Sequence, residues 1–374
     1  MAEKVLMKGN EAMAEAAICA GCRFFFGYPI TPQTEVSAYM SKRMPKVGGL
    51  FLQAESEVAA INMVYGASSA GARVMTSSSS PGISLKSEGI SYMCGADLPA
   101  VIANVERGGP GLGGIQPSQA DYYQATRGLG HGDFHLIVYA PSSVQEMADY
   151  VQLAFDKADQ YRTPVMILSD GLLGQMMEPV ELPEPRDLST LPEKPWATTG
   201  TGMKREHNVT NSLYLVAQEL EDTIVERQQR YEMIQRDEQR SESYLTEDAE
   251  IVVVAFGASA RIARNAVEQA REKGIKAGLV RPISLWPFPA DALNDLIGDG
   301  KPCKAFLTVE MSMGQMVDDV RLAIHDKLPV SFFGHTGGII PEPGEVLAAI
   351  EKAAAGEQFN IVPFQSKLKG GDAR

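Results

Sequence analysis

Gly27-Tyr28-Pro29-Ile30-Thr31-Pro32-Gln33-Thr34-Glu35 follows the aromatic run Phe24-Phe25-Phe26 and leads into a helix-prone stretch. Proline fixes its own φ and restricts the residue before it, so Ile30 and Thr31 are expected in near-extended geometry with a hydroxyl at the tip. A rigid polar turn between a strand and a helix is how an α/β sheet presents a group to a ligand. The same residues also suit a plain proline-punctuated loop. The rest of the chain has to decide between the two.

Working outward, residues 5 to about 180 alternate strand and helix patterns. Short apolar runs at Phe24–Phe26, Gly49–Gln53, Val74–Ser77, Ala100–Val105, Leu136–Tyr139 and Val165–Leu168 are separated by stretches of helical period. That alternation predicts a doubly wound parallel sheet in an α/β fold. Four prolines between 181 and 206 mark an extended linker, and Val209 to about Arg240 reads as one long charged helix with apolar positions at Leu213, Val216, Leu220, Ile224 and Tyr231. A second α/β unit opens at Ile251-Val252-Val253-Val254. The expected organisation is a first domain over 1–182, a linker with its helix over 183–248, a second domain over 249–366 and a tail over 367–374.

The 374 residues carry a net charge of −13, and 44% are hydrophobic. An acidic chain lacks the basic footprint that a general nucleic-acid role requires, so no nucleic-acid partner is expected. No apolar run reaches membrane-spanning length and the first residues lack the apolar core of a signal peptide, so no membrane association and a cytoplasmic location are expected. Cys19 and Cys22 form a C-x-x-C without a second pair, and read as small residues at a helix end. No metal site is expected on this chain. His131, Asp133 and His135 alternate, which suits loop side chains better than a metal site, and Gly298-Asp299-Gly300 has no asparagine a helix later.

Three groups fall at or just beyond predicted strand ends, the edge where open parallel sheets bind ligands. Thr31 offers a hydroxyl to an anion. Glu57, with Glu55 as its rival, enters the small-residue helix Val58-Ala59-Ala60-Ile61; it is either an acid shielded from water or a charge complementing the helix dipole. Arg107 heads Gly108-Gly109-Pro110-Gly111-Leu112-Gly113-Gly114. An arginine beside glycines suits a carboxylate or phosphate, and also suits a surface loop. Ser77-Ser78-Ser79-Ser80-Pro81-Gly82 is a further polar strand-to-helix loop without the lysine of a P-loop.

Tyr28-Pro29-Ile30-Thr31-Pro32, Glu57 with its helix, Arg107-Gly108-Gly109-Pro110 and Val309-Glu310-Met311 followed by Gly314-Gln315-Met316 together resemble the alpha subunit of 2-oxoacid:ferredoxin oxidoreductases. The resemblance runs over nearly the whole chain, in the form without a fused gamma domain. The segment Gly111–Gln119 is most similar to the branched-chain, 2-oxoisovalerate subtype, with a 2-oxoglutarate enzyme as the alternative. The resemblance implies a pyrimidine-binding domain of a thiamine diphosphate enzyme followed by a transketolase C-terminal-like domain. It implies a beta subunit carrying the diphosphate and Mg2+ site and a [4Fe-4S] cluster, small gamma and ferredoxin-like delta subunits, ferredoxin as acceptor and CoA as cosubstrate. Glu57 then matches the glutamate that bonds N1′ of the aminopyrimidine, Tyr28 and Pro29 match cofactor-binding positions, and Thr31 and Arg107 match residues that hold the substrate carboxylate. A scaffold that only docks a catalytic partner remains the competing role.

Overall fold

The computed structural model describes residues 4–127 and 129–361. Strand β1 (Lys4–Lys8) leads into helix α1 (Gly9–Cys19), and β2 (Phe24–Gly27) runs to the proline loop and α2 (Thr34–Arg43). Next come β3 (Leu50–Gln53), α3 (Glu57–Ser69), β4 (Val74–Ser78), α4 (Ser80–Gly95) and β5 (Val101–Glu106). The short α5 (Tyr122–Arg127) precedes β6 (Ile137–Tyr139), α6 (Val144–Tyr161), β7 (Val165–Asp170), α7 (Gly171–Gln175) and β8 (Met177–Glu181).

Six of these strands form a parallel sheet in the order β6-β7-β5-β4-β2-β3. β5 and β7 are buried at every position, as strands covered by helices on both faces must be. α1 is buried nearly all round; its Ala12, Ala14, Ala16 and Ala17 leave room for close packing against α6. α6 presents Val144, Met147, Ala148, Val151, Phe155 and Ala158 as one inward stripe, and the Ser143 hydroxyl accepts from Glu146 N at 3.1 Å to start it. β1 and β8 pair antiparallel in a separate ribbon, a feature without sequence signal because Pro179 sits inside β8.

Strand order reverses between β2 and β4: the chain leaves β2 toward β3 on one side and leaves β4 toward β5 on the other. Their ladder stops at Phe25–Met75, and beyond it the strands splay. This is the switch point at which doubly wound sheets open a crevice beyond their carboxyl ends.

The predicted helix over Val209–Arg240 is shorter in the structure. α8 spans Ala217–Asp237, and Leu213 and Val216 lie before it, exposed. Asn211 is the cause: its amide donates to Leu213 O at 2.6 Å and its Oδ1 accepts from Leu213 N at 2.9 Å, closing a local turn that competes with helix. Tyr231 and Ile234 are the apolar side chains α8 buries, and Leu220 remains exposed.

After α8 come β9 (Ser241–Tyr244), β10 (Ile251–Val254), α9 (Gly257–Glu272), β11 (Ala277–Pro282) and β12 (Ser284–Trp286). They are followed by α10 (Ala290–Asn294), β13 (Ala305–Glu310), α11 (Met316–Ile324), β14 (Val330–Gly334), α12 (Pro343–Ala354) and β15 (Asn360–Ile361). The second sheet is ordered β15-β14-β13-β10-β11-β9, parallel except for β9. Two strands cross the boundaries read from sequence. β9, inside the expected linker, joins the second sheet, and β12 pairs antiparallel with β6 as an edge of the first. The stack of His135 on Trp286 at 4.5 Å, with Tyr231 edge-on, seals that junction. The expected tail over 367–374 lies outside the described residues.

Gln119 rivets the two sheets. Its side chain, fully buried, donates to Phe256 O at 2.8 Å and accepts from Ser259 Oγ at 2.6 Å and Met311 N at 3.0 Å. Glu310 is also buried and accepts from the backbone N–H groups of Gln315, Met316 and Val317, which fixes the start of α11, and Gln315 Nε2 ties that start to the first domain by donating to Ala120 O at 2.8 Å. The Val309-Glu310-Met311 motif therefore serves the junction between the sheets.

Candidate active site at the switch point

The crevice is built from the loops after β2, β3, β4 and β5, and the first turn of α4 is its hub. The proline loop is held from below. Asn10 Nδ2 donates to Pro32 O at 2.9 Å, Gln175 Nε2 donates to the same oxygen at 3.2 Å, and the buried Gln33 bonds Tyr28 O and accepts from Ser77 Oγ at 2.6 Å. The Thr31–Pro32 peptide is cis. Tyr28, Pro29 and Thr31 are left exposed at the rim, and the Thr31 hydroxyl makes no hydrogen bond among the described residues.

Arg107, only 7% exposed, comes to this loop from β5. Its guanidinium donates to Thr31 O at 3.0 Å and Leu112 O at 3.2 Å, while Nε has no partner. Ser80 fixes its backbone, accepting from Arg107 N at 3.0 Å and donating to Arg107 O at 3.2 Å. Among the described residues no carboxylate pairs with it. A buried cation bonded only to carbonyls is costly unless an anion completes it, so the arrangement suits a carboxylate or phosphate.

Glu57 is the first residue of α3, whose N-cap Ser56 accepts from Ala59 N at 3.2 Å. It is 6% exposed, while Glu55 lies outside on the loop, exposed. Glu57 is shielded from water and also stands at the start of the helix, so both readings of it fit. The glutamate lies over Gly82: a Cβ there would overlap Ser78 Oγ and come within 2.7 Å of Glu57 Oε1. Ser78 Oγ and Ser79 Oγ, both buried, have no partner among the described residues. A shielded carboxyl, two unspent hydroxyls and a helix turn kept free of Cβ form a cradle suited to a polar ring, and the aminopyrimidine of thiamine fits that donor set.

Lys86, on the inner face of α4, lies close below these groups. It is fully buried, and its Nζ donates to Thr76 Oγ1 at 2.6 Å and Ser77 O at 3.0 Å. Its signal lay in the helix period: Gly82, Ile83, Lys86, Ile90 and Met93 form one inward stripe. Further in, Glu106, Asp121 and Asp170 gather behind Arg107. Burial and the neighbouring charge of Asp121 push the Glu106 carboxyl well up, and burial pushes Asp170 to about 6.

Cys19 and Cys22 are buried free thiols, pushed by burial up to about 11 and about 12, in keeping with a packing role. His131 packs edge-on to Tyr92. No group of three or more histidine, cysteine or carboxylate side chains among the described residues is arranged to hold a metal, and no helix among them is long and apolar enough to cross a membrane.

Similarity to known proteins identifies the family. Residues 15–249 match the family model for pyruvate flavodoxin/ferredoxin oxidoreductase, thiamine diphosphate-binding, and residues 249–346 match pyruvate:ferredoxin oxidoreductase core domain II. The chain belongs to the 2-oxoacid:ferredoxin oxidoreductase family. It is 50% identical to the ketoisovalerate oxidoreductase subunit VorB of Methanothermobacter thermautotrophicus, over 93% of this chain and 97% of that protein. It is 36% identical to the 2-oxoglutarate synthase subunit KorA of the same organism, over 94% and 99%. The solved structure of 2-oxoglutarate:ferredoxin oxidoreductase from Magnetococcus marinus, with 2-oxoglutarate, coenzyme A and succinyl-CoA bound, superposes with a TM-score of 0.84 at 27% identity. That match covers 94% of this chain, which spans 66% of the other. A split-gene transketolase matches in fold alone, with a TM-score of 0.56 at 16% identity.

Proposed function

We propose that this chain is the alpha-type subunit of an enzyme that oxidatively decarboxylates a branched-chain 2-oxoacid, 2-oxoisovalerate being the representative, to acyl-CoA and CO2 while reducing ferredoxin. The observation that carries this reading is the shielded Glu57 over the Cβ-free turn of α4, beside a buried arginine that lacks a counter-ion among the described residues. When bound, thiamine diphosphate supplies the carbon nucleophile and the electron sink for loss of CO2. Glu57 holds and moves a proton at N1′ of the aminopyrimidine. Arg107 and the Thr31 hydroxyl hold the substrate carboxylate and fix its orientation, and Tyr28 and Pro29 shape the rim beside the ring.

The loop after Arg107 favours a branched alkyl side chain on the substrate. From Gly108 to Gln119 it contains no lysine or arginine, and it exposes Leu112 and Ile115. A second carboxylate, as in 2-oxoglutarate, would find no cation there, whereas a branched alkyl group would find apolar surface. The greater identity to the ketoisovalerate subunit than to the 2-oxoglutarate subunit supports the same choice. With no metal-ligating cluster among the described residues, the Mg2+ and diphosphate site and the [4Fe-4S] cluster are assigned to a beta subunit, with gamma and ferredoxin-like delta subunits completing a cytoplasmic complex.

CoA-dependent viologen reduction by the assembled complex, with 2-oxoisovalerate, 2-oxoglutarate, pyruvate and indolepyruvate in turn, tests both parts. The 2-oxoisovalerate rate should lead, and Glu57→Gln should lower it by about 10²–10⁴-fold, the range for loss of a general acid–base group. Turnover with 2-oxoglutarate alone would reject the substrate assignment, and full activity of a normally assembled Glu57→Gln complex would leave only a scaffold role.

A further inference from the structure

The splay between β2 and β4 leaves a gap directly under the crevice, and a lysine fills it. Thr76 Oγ1 donates to Phe26 O at 2.6 Å, replacing the ladder bond lost beyond Phe25–Met75, and the same oxygen accepts from Lys86 Nζ at 2.6 Å. Ser77 O takes a second ammonium proton at 3.0 Å. Side chains on a helix lean toward its N-terminus, so Lys86 reaches back along α4 toward the turn of Gly82, one helical step away. Glu57 rests on that turn, sharing it with Ser78, the residue next to the Ser77 carbonyl that holds the ammonium. No carboxylate lies within ion-pair distance of Lys86 among the described residues. Burial pushes its ammonium down to about 7, and Glu57 is the one charged group whose field opposes that fall.

We propose that Lys86 is a positioning residue for Glu57: the buried amine whose positive charge, when it carries its proton, offsets the carboxylate left as Glu57 releases a proton to the cofactor ring. The inference rests on the assignment of Glu57 above and extends it. As the proton passes to N1′, the Glu57 O–H bond breaks, an N–H bond forms, and a carboxylate remains in a site with little water. An ion so placed is disfavoured by desolvation and favoured by a nearby opposite charge. Lys86 supplies that charge without touching substrate or ring. It also explains why a fully buried ammonium is kept at a position where methionine would pack at lower cost.

The test uses the assembled complex loaded with thiamine diphosphate and Mg2+ and given no 2-oxoacid. The readout is exchange of the cofactor C2 proton for deuterium, followed by acid quench and NMR. Lys86→Met should slow exchange about tenfold, the effect of one unit of proton affinity at the neighbouring carboxyl, with cofactor Kd by calorimetry changed less than about threefold. In a Glu57→Gln background, Lys86→Met should add nothing, since coupled residues fail to be additive. Wild-type exchange in Lys86→Met, or the same slowing in both backgrounds, overturns the proposal. If Lys86→Met does not assemble, Thr76→Val removes one acceptor that steadies the ammonium and should slow exchange in the same direction; an assembled Thr76→Val complex at full rate also overturns it. Full exchange in Glu57→Gln alone would instead remove the assignment of Glu57, and this inference with it.

Discussion

Arg107 and Asp170 show how one site uses burial in opposite ways. The guanidinium is held in place by two carbonyls and its Nε has no partner among the described residues, so its charge remains open to an anion. Arg107→Lys keeps the charge but loses the planar fork. Steady-state kinetics should show kcat/KM for the 2-oxoacid falling by ~10²-fold, equivalent to one or two charged hydrogen bonds. Thiamine binding should be unchanged, and a fall in cofactor affinity of the same size would place Arg107 elsewhere. Asp170 caps α7, accepting from Leu172 N at 2.8 Å and Leu173 N at 3.2 Å. Its folded pKa of about 6 lies above the ordinary 3.8, so the native state binds the extra proton. The stability it contributes is complete below the ordinary value and is lost as pH rises through about 6. Asp170→Asn, which can still accept both backbone protons, should therefore gain up to ~3 kcal/mol over the wild type by pH 7 and little at pH 4; denaturant midpoints at the two pH values measure it. Residue types single out Thr31, Glu57 and Arg107 as candidates because each offers a reactive or charged group at a strand end. Lys86 is hidden because a lone lysine among serines reads as solvated unless the helical stripe it shares with Gly82, Ile83, Ile90 and Met93 is followed.

At the scale of elements, the first turn of α4 joins three partners: Ser80 to Arg107, Gly82 to Glu57, and the stripe below it to Lys86. Helix propensity predicts that Gly82→Ala stabilises by ~1 kcal/mol. The structure predicts the opposite sign, because the methyl group would overlap Ser78 Oγ and press on Glu57. Net destabilisation of ~1–3 kcal/mol, the usual cost of overpacking, with weakened thiamine binding, should appear in thermal melts and calorimetry. A raised melting point with normal cofactor affinity would contradict the cradle. The alternation of strands and helices made the parallel sheets legible from sequence, since period 2 or continuous apolar runs and period 3.6 are set by backbone geometry. The short pieces were not legible. β12 is three residues long, β8 contains Pro179, and α8 begins late because the Asn211 turn is a side-chain effect that an amphipathic count does not see.

For the whole molecule, position 249 is where the two family models meet, yet the fold does not divide there. β12 is encoded after that point and completes the sheet before it, with Trp286 closing over His135 and Tyr231. Residues 1–249 produced alone would expose the β6 edge and that aromatic face, a template for association. Size-exclusion and denaturant experiments should find this fragment aggregated or without a cooperative transition; a soluble, cooperatively unfolding monomer would show β12 to be dispensable. The consequence reaches protein engineering. A chimera that trades substrate preference between relatives by splicing at the seam of the two models would graft a foreign border strand onto the catalytic layer, so productive exchange must carry residues 284–286 together with the sheet they finish, like a book whose last page is bound into the next volume.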